Sequence, residues 1–245
     1  MHQSYTPTAP ARSVTKWIVE KTISLSPINF HMESERHLPY EYREIAEKFR
    51  RNGLYQDAAE YYTTAAYGCL MHSRPLPEHT DEKYRPVRDP IEFSYGIRNF
   101  LYGALCYQFS NQVTRCQNHC RQAILILTSY KDTEQFGEAA RNGICYELIG
   151  DFRLVGDLGR HNAAYERAAE HYESIAPERH HNWQLEPEFA ITIMQFLNLA
   201  EAVNIDFDTE DYVAISIHSL SHRINAKQEW FPEVVQRILE RGNWE

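Results

Sequence analysis

Apolar and small side chains between residues 39 and 72 recur at steps of three and four. They read Ile45-Ala46-x-x-Phe49-x-x-x-Gly53-x-Tyr55-x-x-Ala58-x-x-x-Tyr62-x-x-Ala65. A stripe of this period is one face of a helix. The break at Gly53 predicts two antiparallel helices, at 39–51 and 55–72. Ala46 and Ala58 would let the two backbones approach, Phe49, Tyr55 and Tyr62 would fill the space around them, and Gly53 would make the turn. An earlier stripe, Val14, Trp17, Ile18 and Leu25, predicts a helix over 13–25 that Ser26-Pro27 ends.

The stretch from Arg74 to Pro90 carries Pro75, Pro77, Pro86 and Pro90 among many charges, which predicts a long loop over 74–90. From Pro90 the pattern returns in weaker form, with Phe100, Ala104, Tyr107, Cys116, Cys120 and Ala123. It returns again from Glu134, with Gly143, Tyr146, Gly150 and Phe152 on a first helix. Ala164, Ala168, Tyr172 and Ile175 lie on a second, which Pro177 stops. Between them, Leu154 and Val155 continue the apolar stripe. The first helix is therefore expected to run through Val155 and turn at Asp157-Leu158-Gly159, in preference to an insertion between the helices. A further pair is expected at 187–203 and 208–224, with Asp208 or Thr209 as N-cap. A short helix over 232–241 is expected to cover the open end.

The order of small and aromatic residues around Gly53 resembles the tetratricopeptide repeat, a helix–turn–helix unit of about 34 residues that hides its apolar face by stacking on its neighbours. The resemblance spans residues 39–176. It is most specific in the first copy and weakest in the third. The copies are offset by 58 residues (Ala46 to Ala104) and then 39 (Ala104 to Gly143), which is more similar to the long-helix variants found in SNARE-adaptor-type proteins. The fold it implies is all-α, a right-handed superhelix of antiparallel helix pairs occupying residues 13–245 as a single domain behind a disordered tail at 1–12.

Composition agrees with helices: of 245 residues only 10 are glycine and 11 proline. The aromatic share of 13% suits wedges between stacked helices. A net charge of −9 excludes a general nucleic-acid binder, which needs clustered Lys and Arg. Five cysteines without paired spacing point to a reducing compartment. The longest strongly apolar run, Ala123 to Leu127, is too short for membrane insertion, and the first fifteen residues hold no apolar core of the signal-peptide kind. A cytoplasmic protein is expected.

The resemblance implies that partners are read by the first helix of each pair. Carried over by position, those sites are Arg43, Glu47, Arg50 and Arg51 in the first copy. In the second they are Arg98, Leu101, Tyr102, Leu105 and Gln108, and in the third Arg141, Ile144 and Glu147. Arginines gathered on the inner face of an acidic protein suit an acidic peptide, because guanidinium grips carboxylate in bidentate fashion. The same arginines also read as an ordinary solvated helix face. The family's lysine–asparagine clamp for a terminal carboxylate is not reproduced.

Cys116-x-x-His119-Cys120 places three metal-ligand types on one helical face, with Cys106 or Cys145 as a fourth. Cys116 stands where the repeat needs a small packed residue, so core packing is the better reading. His218 and His222 lack the glutamate of a hydrolytic zinc motif, and Glu178-x-x-His181 is a single copy of a motif that works in pairs. The chain has no Gly-rich phosphate loop and no nucleophile elbow. The sequence therefore predicts no enzyme and no cofactor, but an adaptor holding a protein or peptide. A homodimer is compatible with poorly capped repeat ends. A regulator responding to a signal peptide or small molecule, and a metal-dependent enzyme using the Cys/His face, are the alternatives.

Overall fold

The computed structural model describes residues 38–72, 90–131, 139–175 and 220–241, all within the unit spanning 37–245. Those residues form eight helices and no strand. They are α1 (Leu38–Arg51), α2 (Tyr55–His72), α3 (Pro90–Phe109), α4 (Val113–Lys131), α5 (Ala139–Val155), α6 (His161–Glu173), α7 (Leu220–Glu229) and α8 (Phe231–Arg241). The predicted helices at 13–25 and 187–203, the tail and the body of the 74–90 loop lie outside the described residues. None of the described helices is long and apolar enough to cross a membrane.

α1, α3 and α5 end in the same way. At the end of α1, the Gly53 N–H reaches the Arg50 carbonyl at 2.9 Å and the Leu54 N–H reaches the Phe49 carbonyl at 2.9 Å. Asn111 and Gln112 repeat both bonds after α3, to Gln108 and Tyr107, and Asp157 and Leu158 repeat them after α5, to Leu154 and Arg153. This paired 5→2 and 6→1 pattern closes a helix through one left-handed residue. Gly53 (φ 72°), Asn111 (φ 58°) and Asp157 (φ 48°) are those residues. Asparagine and aspartate tolerate the left-handed region better than other side chains. The third turn is longer, with Gly159 and Arg160 also at positive φ, so α5 runs through Val155 as expected.

Counting back seven positions from each left-handed residue lands on Ala46, Ala104 and Gly150, all buried. Gly150, and not Gly143, therefore stands where Ala46 and Ala104 stand. The spacing from Ala104 is 46 residues (150 − 104) in place of the expected 39. Gly143 and Gly150 serve another purpose. The Tyr172 and Tyr165 rings lie so close over them that a methyl group at either glycine would overlap a ring.

Each helix packs chiefly on its neighbours in the chain, α1 with α2, α2 with α3, and so on to α6. α7 continues on α6, while α8 packs on α7 and also reaches back to α3 and α5. Aromatic side chains fill the joints: Phe49 stacks on Tyr61 at 5.3 Å, Tyr62 meets Tyr102 at 5.5 Å, and Phe93 meets Tyr130 at 4.3 Å. The last two helices differ from their expected bounds. The helix predicted to end at Ile224 continues to Glu229, because Asn225-Ala226-Lys227-Gln228 contains no breaker. It stops where Pro232, which lacks an N–H, cannot bond the preceding turn.

Candidate functional site

Helix α1 brings Arg43, Glu47 and Arg50 to one side by their steps of four and three. Arg43 Nε donates to Glu47 Oε1 at 3.1 Å, and both side chains are partly exposed. Arg50 is buried and its guanidinium sits beside the Tyr62 hydroxyl. Burial holds that phenol above its ordinary range, and the arginine opposes the shift. Tyr62 leads to Tyr102 on α3, whose hydroxyl accepts from Arg98 Nε at 3.0 Å while the Arg98 guanidinium lies 5.4 Å from the ring centre. At the start of the same two helices, the Tyr40 hydroxyl donates to Glu92 at 3.1 Å and its ring stands edge-on to Tyr95 at 5.7 Å. A chain of polar and aromatic contacts thus joins α1 to α3, partly through α2.

Several predicted partner-binding residues meet in this seam. Arg43, Glu47, Arg50, Arg98 and Tyr102 belong to it, while Arg51 lies exposed at the end of α1. Arg50 and Tyr102 are buried within it, so each supports the seam from below. Leu101 and Leu105 are fully buried core residues of α3, and Gln108 spends its amide on the Val155 carbonyl at 3.0 Å. Arg141 is half-buried in the first turn of α5.

Glu147, expected on the open face, is completely buried together with Asp151 and Lys227. Lys227 Nζ lies 2.6 Å from Asp151 Oδ2 and 3.1 Å from Glu147 Oε1. The Tyr165 hydroxyl donates to Asp151 Oδ1 at 2.9 Å, and the Tyr172 hydroxyl to Glu147 Oε2 at 2.7 Å. The two tyrosines stand seven apart on α6 and the two carboxylates four apart on α5, in opposite order. Lys227 Nζ also lies 5.2 Å from the centre of the Phe231 ring. Two carboxylates face one ammonium, and burial pushes the Asp151 carboxyl up to about 6, with Lys227 opposing and Glu147 reinforcing the rise. A buried ion pair of this kind anchors one element to another, since separating the charges leaves them unsolvated. It ties α7 to α5 and α6. Asp151 and Lys227 were missed in the sequence. The seven-residue register shift hid the first, and the second sits in a mostly polar helix.

The Cys116, His119 and Cys120 side chains share one buried face of α4, as their spacing implies. His119 Nε2 is 2.9 Å from the Phe100 carbonyl and its ring is packed 4.7 Å from that of Phe100 and 5.5 Å from that of Tyr107. Burial pushes the imidazole down to about 4, so it is neutral and donates to that carbonyl. Cys116 Sγ stands 4.0 Å from Cys120 Sγ and donates to the Val155 carbonyl at 3.8 Å. Among the described residues no three His, Cys, Asp or Glu are grouped to hold a metal ion. Glu178, His181 and His218 lie outside those residues. An open depression of about 500 Å³ is lined by Gln117, Arg121, Ile124, Leu125, Arg153, Asp157 and Leu158, none of them a predicted site residue.

Comparison of the chain with family models, with curated proteins and with solved structures gives no match.

Proposed function

We propose that the chain is a non-enzymatic adaptor holding a protein or peptide segment against the face of α1 and α3. Its helices would form a right-handed superhelix of antiparallel pairs, resembling tetratricopeptide repeats. The sequential packing of α1 to α6, and the opposite order of contacts along α5 and α6, support that arrangement. The observation that carries the function is the seam itself. Arg43 is set by Glu47, Arg98 by Tyr102, and the Tyr62–Tyr102 contact holds the floor beneath them. Side chains ordered before binding spare the complex their conformational entropy, so the cost of ordering falls on the ligand. Arg43 and Arg98 remain partly exposed and Arg51 is exposed, which suits a segment bearing carboxylates.

Affinity capture of the tagged chain from its native extract, beside an Arg51→Glu/Arg98→Gln variant, tests this reading. Both substitutions spare the buried Arg50. A protein recovered with the wild type, lost with the folded variant and crosslinked to α1 or α3 is the expected result. Equal recovery with both would remove the seam as the binding face.

A further inference from the structure

The open depression of about 500 Å³ between α4 and the end of α5 shares no residue with the α1–α3 seam or the buried ion cluster. Ile124 and Leu158 line it half-buried against the core, and Leu125 lines it 69% exposed. Arg121 of α4 and Arg153 in the last turn of α5 line it as well, with Asp157 on the following turn. Two arginines against one aspartate leave this lining positive, in a chain whose net charge is −9.

Both guanidiniums are held in place. Arg121 Nη1 donates to Asn118 Oδ1 at 3.0 Å, and Arg153 Nη1 to the Gly159 carbonyl at 3.2 Å. Among the described residues neither guanidinium makes another hydrogen bond or pairs with a carboxylate. Each therefore keeps Nε and its second terminal nitrogen, an edge that takes a carboxylate in bidentate fashion. Arg153 stands four positions before the left-handed Asp157, where the first two copies carry Phe49 before Gly53 and Tyr107 before Asn111. Those two rings pack on the following helix, against Tyr61 and His119. The third copy presents a charge instead, and the carbonyl that holds it comes from the longer turn after α5.

We propose that this depression docks a short partner segment in which leucine-like side chains alternate with carboxylates. The aliphatic groups would rest on Ile124, Leu125 and Leu158, and the carboxylates would meet Arg121 and Arg153. Apolar burial supplies affinity, and the arginines select an acidic segment over a neutral one. This second surface goes beyond the seam of α1 and α3 and stands on different helices.

The test uses the full chain and a fluorescein-labelled hexapeptide of alternating glutamate and leucine, followed by anisotropy. Saturable binding to the wild type is expected, weakened about ten-fold by Arg121→Gln/Arg153→Gln. A glutamine–leucine hexapeptide should bind the wild type as weakly as the acidic peptide binds that variant, and should bind both proteins equally. Should the double variant unfold, Leu125→Ser at an exposed position decides, by weakening the acidic peptide or leaving it unchanged. Absence of saturable binding, or equal binding of the acidic peptide by wild type and folded variant, overturns the proposal. Binding of decanoate without binding of the peptide also overturns it, because the occupant is then a free amphiphile. The Arg51→Glu/Arg98→Gln variant should bind the hexapeptide as the wild type does. Loss of binding there, with the depression variant unaffected, would place the peptide on the seam, rejecting this inference and leaving the adaptor reading standing.

Discussion

Tyr165 lies across Gly150 and so brings its hydroxyl to Asp151 at 2.9 Å. The missing side chain on α5 is the space the ring occupies. Because the hydroxyl is bonded and the residue fully buried, the ring cannot swing aside. Gly150→Ala should therefore destabilise the fold by about 1–3 kcal/mol through overpacking, although alanine by itself favours a helix by up to about 1 kcal/mol. Adding Tyr165→Leu should recover part of that loss. Denaturant unfolding of the two single variants and the double variant checks this, and strict additivity would mean that the glycine has another role.

Lys227 faces two buried carboxylates, so its removal has a larger effect than the loss of one contact. Lys227→Met should cost about 3–5 kcal/mol by leaving Glu147 and Asp151 buried together. The triple variant Lys227→Met/Glu147→Gln/Asp151→Asn should regain most of it, because the tyrosine hydroxyls can still donate to amide oxygens. Thermal unfolding of the single and triple variants distinguishes this from a simple loss of packing, which neutralising the carboxylates would not repair.

Much of the helical layout could be read before the structure because its period is strong and Gly53 announces its turn. The other two turns are concealed by their chemistry. Asn111 and Asp157 adopt the left-handed conformation without glycine, so nothing short of the hydrogen-bond pattern aligns them with Gly53. Lacking that alignment, the third pair was set two helical turns out of register, which left Asp151 unread. Glu147 falls on an open-face position in either register, matching Arg43 once Gly150 aligns with Ala46, and is buried because Lys227 of α7 packs on it. Periodicity also treats lysine as a solvent-facing residue, and Lys227 is flanked by Asn225, Gln228 and Glu229. Its burial depends on carboxylates 76 and 80 residues away, those of Asp151 and Glu147, which a local pattern cannot supply. The arginines of α1 were legible as a group, but which of them is buried was set by Tyr62 on the facing helix.

All five cysteines are buried as free thiols. Burial, with a nearby Glu92, pushes Cys69 up to about 12, and burial raises Cys106 as well; at Cys120 the bond with Cys116 raises the thiol first and burial second. Thiols in that state are poor nucleophiles at neutral pH. A disulfide reagent at pH 7.5 should modify the native chain at least ten-fold more slowly than the unfolded chain, in which all five should react. Rapid native reaction at Cys116 or Cys120 would show that the α4 face opens to solvent.

Two buried groups oppose each other as the pH falls. His119 titrates at about 4 when folded against about 6.5 when unfolded, so the unfolded chain binds the extra proton between those values. Stability from His119 is present above pH 6.5 and is lost as the pH drops towards 4. Asp151 titrates at about 6 when folded against about 3.8 when unfolded, so here the folded chain binds the extra proton. Its contribution is full below about pH 4 and is lost as the pH rises through 6. Each shift is worth about 3 kcal/mol at 1.36 kcal/mol per unit, and over pH 4–6 they largely cancel. His119→Gln, which keeps an N–H donor near the Phe100 carbonyl, should gain stability relative to the wild type as the pH falls from 6.5 to 4. Asp151→Asn, a mimic of the protonated acid, should lose relative stability over the same range. Urea midpoints at half-unit steps of pH would show two difference curves of opposite slope. Flat curves would mean that neither group changes its protonation between the folded and unfolded chains.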